Sequence, residues 1–255
     1  MTGNGGKKTR RIRILLVLVG ALFAIGTTLS LQQNSTQIRE DRYQLAVSTG
    51  KVLFRTIVAT RVWNASHGGV YVPVTDTVRP NPYLTTPDRD VRTIDGRKLT
   101  KINPAYMTRL VGEILSAEGY TLHITSLKTL RPGNAPDEWE RAALERFEKG
   151  SALEYSLTGP TGNRVFRYME PLKTEAPCLK CHEQQGYKVG DVRGGIGIAF
   201  PYAPFERSIR TDERRAIATH ALSLASALSI LFFLGFRIMK LAGSLEETQR
   251  QVRTL

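Results

Sequence analysis

Hydrophobic and polar positions follow three different regimes along this chain. Two stretches are apolar on every side: residues 14–31 (ILLVLVGALFAIGTTLSL) and 216–236 (AIATHALSLASALSILFFLGF) hold no acidic or basic residue except His220. At about 1.5 Å of rise per residue, each approaches the length of a bilayer core, and each predicts a membrane-spanning helix. Between them the pattern turns amphipathic. Tyr43, Ala46, Gly50, Leu53 and Ile57 recur at three- and four-residue spacing, so residues 36–66 predict a helix with one buried face, ended by Gly68-Gly69. Residues 70–74 alternate like a strand. Pro80, Pro82 and Pro87 mark an extended loop, and Asp95-Gly96 a turn.

Asn103 as cap, Pro104 in the first turn and Gly119 as stop delimit a second helix with an apolar stripe of Met107, Leu110, Val111, Ile114 and Leu115. Residues 120–126 alternate, and residues 136–149 form a third helix ended by Gly150. Residues 152–158 and 165–171 flank Gly159-Pro160-Thr161-Gly162 as a hairpin. Residues 194–201 supply a last strand, with Ile196, Ile198 and Phe200 on one face and Gly195, Gly197 and Ala199 on the other. A face without side chains marks close approach of something flat or of a packed helix. This order predicts an α+β domain, an antiparallel sheet with flanking helices, set between two transmembrane helices.

Charge orients the chain. Lys7, Lys8, Arg10, Arg11 and Arg13 precede the first span, while Arg237 and Lys240 follow the second. The positive-inside rule puts both termini in the cytoplasm. The expected organisation is a basic cytoplasmic segment (1–13), a span (14–31) expected to be an uncleaved anchor, an external domain (32–213), a second span (214–236) and a cytoplasmic helical segment (237–255). The formal net charge of +13 is then partly topological. No motif or clustered face supports nucleic acid as a partner; membrane lipid is the expected partner of the basic end.

The chemistry concentrates in Cys178-Leu179-Lys180-Cys181-His182, which holds the only two cysteines of the chain. The C-x-x-C-H run reads as a c-type haem attachment site. Two thiols on one turn reach the two vinyl groups of one porphyrin, and His182 then lies under the iron as a ligand. A redox disulfide would want a βαβ pattern, and a zinc site two further ligands. Covalent haem c, one per chain, agrees with an external domain, because haem attachment takes place outside the bacterial cytoplasm.

The runs HGGVYVPVT (67–75), NPYL (81–84), INPAYMTR (102–109), HITSLKTLRPGNAPDEWE (123–140) and CLKCHEQQGYKVGDVRGGI (178–196) occur in this order. Together they resemble the Tll-type family of extracytoplasmic c-haem sensor domains. The resemblance covers most of residues 35–205. It implies a PAS-like sheet, one covalent haem and a redox- or gas-sensing role, often upstream of a histidine kinase or diguanylate cyclase. Some members use a cysteine as second iron ligand, and this chain has no third cysteine.

Four residues compete for the distal position. His67 sits at a helix end in a family-like run. Met107 offers a thioether but also fits its helix's apolar stripe as core. His123 falls on the polar face of its strand and reads as a surface or packing residue. His220 lies four residues inside the second span, at an interfacial depth. A sixth site open to water or a diatomic gas is the remaining alternative. Arg131 and Arg193 are the candidates for pairing with haem propionates, and Trp139 is expected in the core.

Ile238, Leu241, Leu245, Thr248, Val252 and Leu255 form a short heptad seam continuing the second span. It predicts a homodimer whose helices carry a signal to a cytoplasmic kinase or cyclase partner. No catalytic residues are assigned. The expected protein is a bacterial inner-membrane haem sensor, with a membrane-anchored electron-transfer cytochrome as the rival and a disulfide oxidoreductase as a third reading.

Overall fold

The structure, a computed structural model, describes residues 4–179 and 185–253; Cys181 and His182 of the haem motif lie outside the described residues. The chain divides into two units. One comprises Tyr43–Glu206, and the other is drawn from the two chain ends, up to Arg42 and from Arg207 onward.

The chain opens on helix α1 (Asn4–Ser66), which contributes to both units. The sequence predicts a span and a separate helix, but neither Pro nor Gly interrupts the run between them (residues 31–36), and one helix results. α1 ends at Gly68 and Gly69, whose φ of 72° and 98° carry the chain away, while Gly69 N–H donates to Asn64 O at 2.9 Å. Three short antiparallel strands follow: β1 (Val70–Pro73), β2 (Asp90–Arg92) and β3 (Lys98–Ile102), in the order β1-β3-β2. The Asp95-Gly96 turn joins the last two. The sequence predicts this turn but not its flanking strands, which are too short and polar to show alternation.

Helix α2 (Pro104–Ser116) begins as its sequence requires, with Asn103 Oδ1 accepting from Tyr106 N–H at 2.9 Å. It packs closely on strand β4 (Thr121–Thr125); a Cβ at Gly112 would lie 2.9 Å from Leu122 O. Helix α3 (Glu138–Glu148) starts with a capping box between Asp137 and Glu140. Then come β5 (Glu154–Thr158), β6 (Val165–Lys173) and β7 (Val192–Pro201), giving a second antiparallel sheet in the order β4-β7-β6-β5. One antiparallel sheet was expected and two are present, because the β1-β3-β2 strands pair among themselves.

Alternation along β6 and β7 decides what covers each face of the larger sheet. Phe166 and Tyr168 pair with Phe200 and Ile198, so these side chains share a face. α1 covers it. A Cβ at Gly50 would lie 2.5 Å from Tyr168 Cγ, and Tyr43 meets Phe166 edge-on at 5.5 Å between ring centroids. Each such side chain, fully buried, contributes about 1.5–3 kcal/mol. The opposite face carries Gly195 and Gly197 under α3. A Cβ at Gly195 would meet Met169 Cε at 2.4 Å and Leu144 Cδ2 at 3.5 Å. The strand's bare face therefore serves a packed helix. Ala143, Leu144, Phe147 and Met169 form the core there, with Trp139 packed against it.

In the other unit α1 runs antiparallel to helix α4 (Ala203–Arg253). A Cβ at Gly20 would touch Leu231, and one at Gly235 would touch Leu16. Arg39 pairs with Glu213 at 2.7 Å and Arg42 with Asp212 at 2.6 Å. Leu15, Leu22, Leu222 and Phe232 are exposed on the outside. Both helices are long and apolar enough to cross a membrane.

Candidate functional site

The segment carrying the two cysteines is an excursion between the paired strands β6 and β7, closed at its base by backbone bonds. Thr174 N–H donates to Asp191 O, and Gly190 N–H to Thr174 O, both at 2.8 Å. Lys188 N–H donates to the Asp191 carboxylate at 2.7 Å. Cys178 ends a single 3₁₀ turn (Ala176–Cys178), and its sulfur accepts from Glu175 N–H at 3.4 Å. Its thiol is half-buried and close enough to Arg61 to enter that residue's electrostatics.

The end of α1, strand β1, the following loop and α2 enclose an open, mostly apolar groove of about 610 Å³. That volume is within the range of small-molecule and cofactor sites. Trp63, Val70, Val72, Ile102, Met107 and Leu110 are among its walls. Met107, expected in the core, is half-buried with its side chain at the groove. Asn64, 1% exposed, also lines it; its Nδ2 donates to Ile102 O at 3.0 Å, while its Oδ1 has no partner. A buried acceptor without a donor is costly.

His67 lies just past the last turn of α1, its ring centroid 4.7 Å from that of Trp63. Its Nδ1 is 2.8 Å from Trp63 O. A carbonyl only accepts, so Nδ1 carries a proton, and in the neutral ring the lone pair is then on Nε2. The fixed tautomer is the arrangement a metal-binding imidazole needs. A His67 imidazole and a Met107 thioether thus stand at and beside one groove wall.

The other two described histidines, His123 and His220, are committed elsewhere. His123 lies on β4 opposite Gly197, and its Nδ1 is 2.9 Å from both oxygens of Glu140, which is 3% exposed. Its Nε2 is 3.2 Å from Gly133 O. Both nitrogens face acceptors, so the ring is held as an imidazolium. The Glu140 hydrogen bond raises its pKa above the ordinary value despite the desolvation that opposes it. Expected to be a surface or packing residue, His123 is instead half of an ion pair, because the register under Gly197 leaves room for α3 to bring a carboxylate there. In α4, His220 Nδ1 donates to Ala216 O at 2.8 Å, and its Nε2 lies 3.1 Å from Ser30 Oγ.

The cations fall into separate settings. Arg131 Nη1 donates to Asn134 Oδ1 at 3.2 Å. Its charge also helps hold the Arg109 pKa down, after desolvation as the larger cause. Arg193 Nη1 donates to Ser126 Oγ at 2.8 Å, and the guanidinium lies 4.9 Å from the Tyr187 ring centroid. Arg61 was not anticipated. It sits one turn before Asn64 on the same face of α1, and its Nη1 donates to Pro104 O at 2.9 Å and Thr108 Oγ1 at 2.8 Å. The signal was present, since an arginine at 61 follows Gly50, Phe54 and Ile57 at three- and four-residue spacing, where the stripe calls for an apolar residue.

Comparison with known proteins gives one family. The Tll0287-like family model matches residues 39–201, more than half of the chain. Among solved structures, the crystal structure of the cyanobacterial heme-protein Tll0287 aligns with a TM-score of 0.40 at 20% identity, over 60% of this chain and 94% of that one. No curated protein matches.

Proposed function

The chain belongs to the Tll0287-like family, and from that premise we propose that it is a membrane-anchored haem c sensor. The observation that carries the reading is the complete Cys178-Leu179-Lys180-Cys181-His182 run, holding every cysteine of the chain. The family's namesake is a heme-protein. The residues present fit the cofactor: an apolar groove of suitable size, a thioether at its wall, a tautomerically fixed imidazole packed on the lining residue Trp63, and Cys178 close enough to Arg61 of α1 to enter its electrostatics. Cys178 and Cys181 would hold the porphyrin, His182 the proximal side of the iron, and His67 or Met107 the distal side. Bound haem supplies a one-electron couple and a coordination position for a diatomic gas.

The finer readings go with this proposal. They are a PAS-like external domain in residues 32–213, spans at 14–31 and 214–236, both termini in the cytoplasm of a bacterial inner membrane, a homodimer, and a kinase or cyclase receiving the signal. The exposed apolar surface of α1 and α4 supports the membrane placement. An electron-transfer cytochrome is the alternative supported by the same cofactor chemistry.

The deciding experiment is haem staining on a denaturing gel. Wild type should stain and Cys178→Ala/Cys181→Ala should be blank; equal staining ends the haem c reading. His67→Ala should convert a low-spin ferric spectrum to high-spin, because water is the weaker-field replacement. An unchanged low-spin spectrum would move the distal role to Met107.

A further inference from the structure

We propose that Arg61 is the counter-cation for a propionate carboxylate of the bound haem; this rests on the haem reading above. Its setting is unfavourable for a cation left alone. Position 61 lies on the buried face of α1, and desolvation of the guanidinium holds its pKa down to about 10. The two acceptors it reaches, Pro104 O and Thr108 Oγ1, are both neutral and both belong to the first turns of α2. That is the positive end of the helix dipole, where an anion is favoured and a cation is not. Among the described residues, no acidic side chain pairs with Arg61.

One nitrogen makes both bonds. The Nε–H and Nη2 edge of the fork has no acceptor among the described residues, and this is the edge that takes a carboxylate in bidentate fashion. Two neighbours say what kind of anion belongs there. Asn64, one turn further along α1, lines the apolar groove and so places Arg61 one turn from it. Cys178, the first haem-attachment thiol, is the group whose charge acts on Arg61. An anion attached to a flat apolar body and anchored through Cys178 meets both conditions, the vacant edge of the fork and the apolar groove one turn away, and a haem propionate is such a group. Arg131 and Arg193 also bond only neutral oxygens, and Arg193 Nε is buried without a partner, so either remains a candidate for the second propionate.

The test uses the full chain, purified in detergent, as wild type, Arg61→Met and Arg61→Lys. Haem content comes from the pyridine haemochrome, the midpoint from potentiometric titration, and propionate hydrogen bonding from the propionate bending band in resonance Raman spectra. Removing a cation beside the cofactor disfavours the reduced, more negative state. Arg61→Met should therefore shift the ferric–ferrous equilibrium about tenfold towards ferric, about 59 mV lower for a one-electron couple. Arg61→Lys should keep most of the potential but move the propionate band, since the fork is gone and the charge remains. A haem-loaded Arg61→Met with the wild-type midpoint overturns the proposal. If Arg61→Met takes up no haem, an unmoved propionate band in Arg61→Lys overturns it. A wild-type chain without haem removes the haem reading and this proposal together, and the haemochrome separates that outcome from the others.

Discussion

Replacing Gly50 by alanine sets two general rules against each other. In a helix interior alanine is favoured over glycine by about 1 kcal/mol, so propensity predicts a more stable protein. The structure predicts the reverse. The new Cβ would lie 2.5, 2.7 and 2.9 Å from Cγ, Cβ and Cδ2 of Tyr168, a side chain with no exposed surface. Ordinary contact needs roughly 1 Å more, and a ring buried between α1 and β6 cannot swing aside as the tip of a long side chain would. Overpacking of this kind costs about 1–3 kcal/mol. If the ring moves, the 2.5 Å bond from Tyr168 Oη to Glu170 is also strained, and a hydrogen bond to a charged group is worth about 1.5–3 kcal/mol. After the propensity gain, the expected net loss is about 2 kcal/mol, or a fall in Tm of about 4–8 °C for a chain of this size. Thermal unfolding of the full chain in detergent, followed by far-UV circular dichroism, measures it. In a Tyr168→Ala background the ring is gone and the loss should shrink, a coupling that a purely local helix effect would not show. A higher Tm for Gly50→Ala in the wild-type background would refute the close approach of α1 to β6.

Two further outcomes follow from the geometry. The His123–Glu140 pair raises the histidine pKa in the folded state; its stabilisation is therefore complete below the ordinary value of about 6.5 and is lost as pH climbs through the raised one. Urea midpoints of wild type should fall relative to His123→Gln as pH increases above about 6.5, and parallel pH profiles would contradict the pairing. Leu245, exposed on α4 in line with Leu241 and Val252, should crosslink between chains when replaced by cysteine, at different rates in ferric and ferrous protein. Equal rates would favour the electron-transfer reading, and absence of crosslinking would remove the dimer.

What the sequence revealed depended on whether the cause was local. The α2 boundaries were legible because Asn103, Pro104 and Gly119 act within a turn of themselves. The glycine-terminated end of α1 and the β5–β6 hairpin were legible for the same reason. The β2 and β3 strands were not, since three and five residues of mixed polarity carry no period. The His123–Glu140 pair was out of reach because it depends on the register of β4 against β7 and on the placement of α3. At the candidate site the C-x-x-C-H run and the place of His67 at a helix end can be read from the sequence. The fixed tautomer of His67, the groove beside it and the guanidinium of Arg61 one turn from its Asn64 wall arise only when α1, β1 and α2 meet.

The clamp at Thr174, Gly190 and Asp191 has an evolutionary consequence. Because the bonds that close the attachment segment lie at its stem, the sheet does not depend on what the segment carries. Loop-closure cost grows only slowly with length, so a shorter or longer insert between the same two strands changes stability by fractions of a kcal/mol per doubling. The attachment proposed for this segment would thus be a detachable module on this scaffold. A lineage can lengthen it, rewrite its cysteine spacing or lose it altogether while the β6–β7 pairing stays in place.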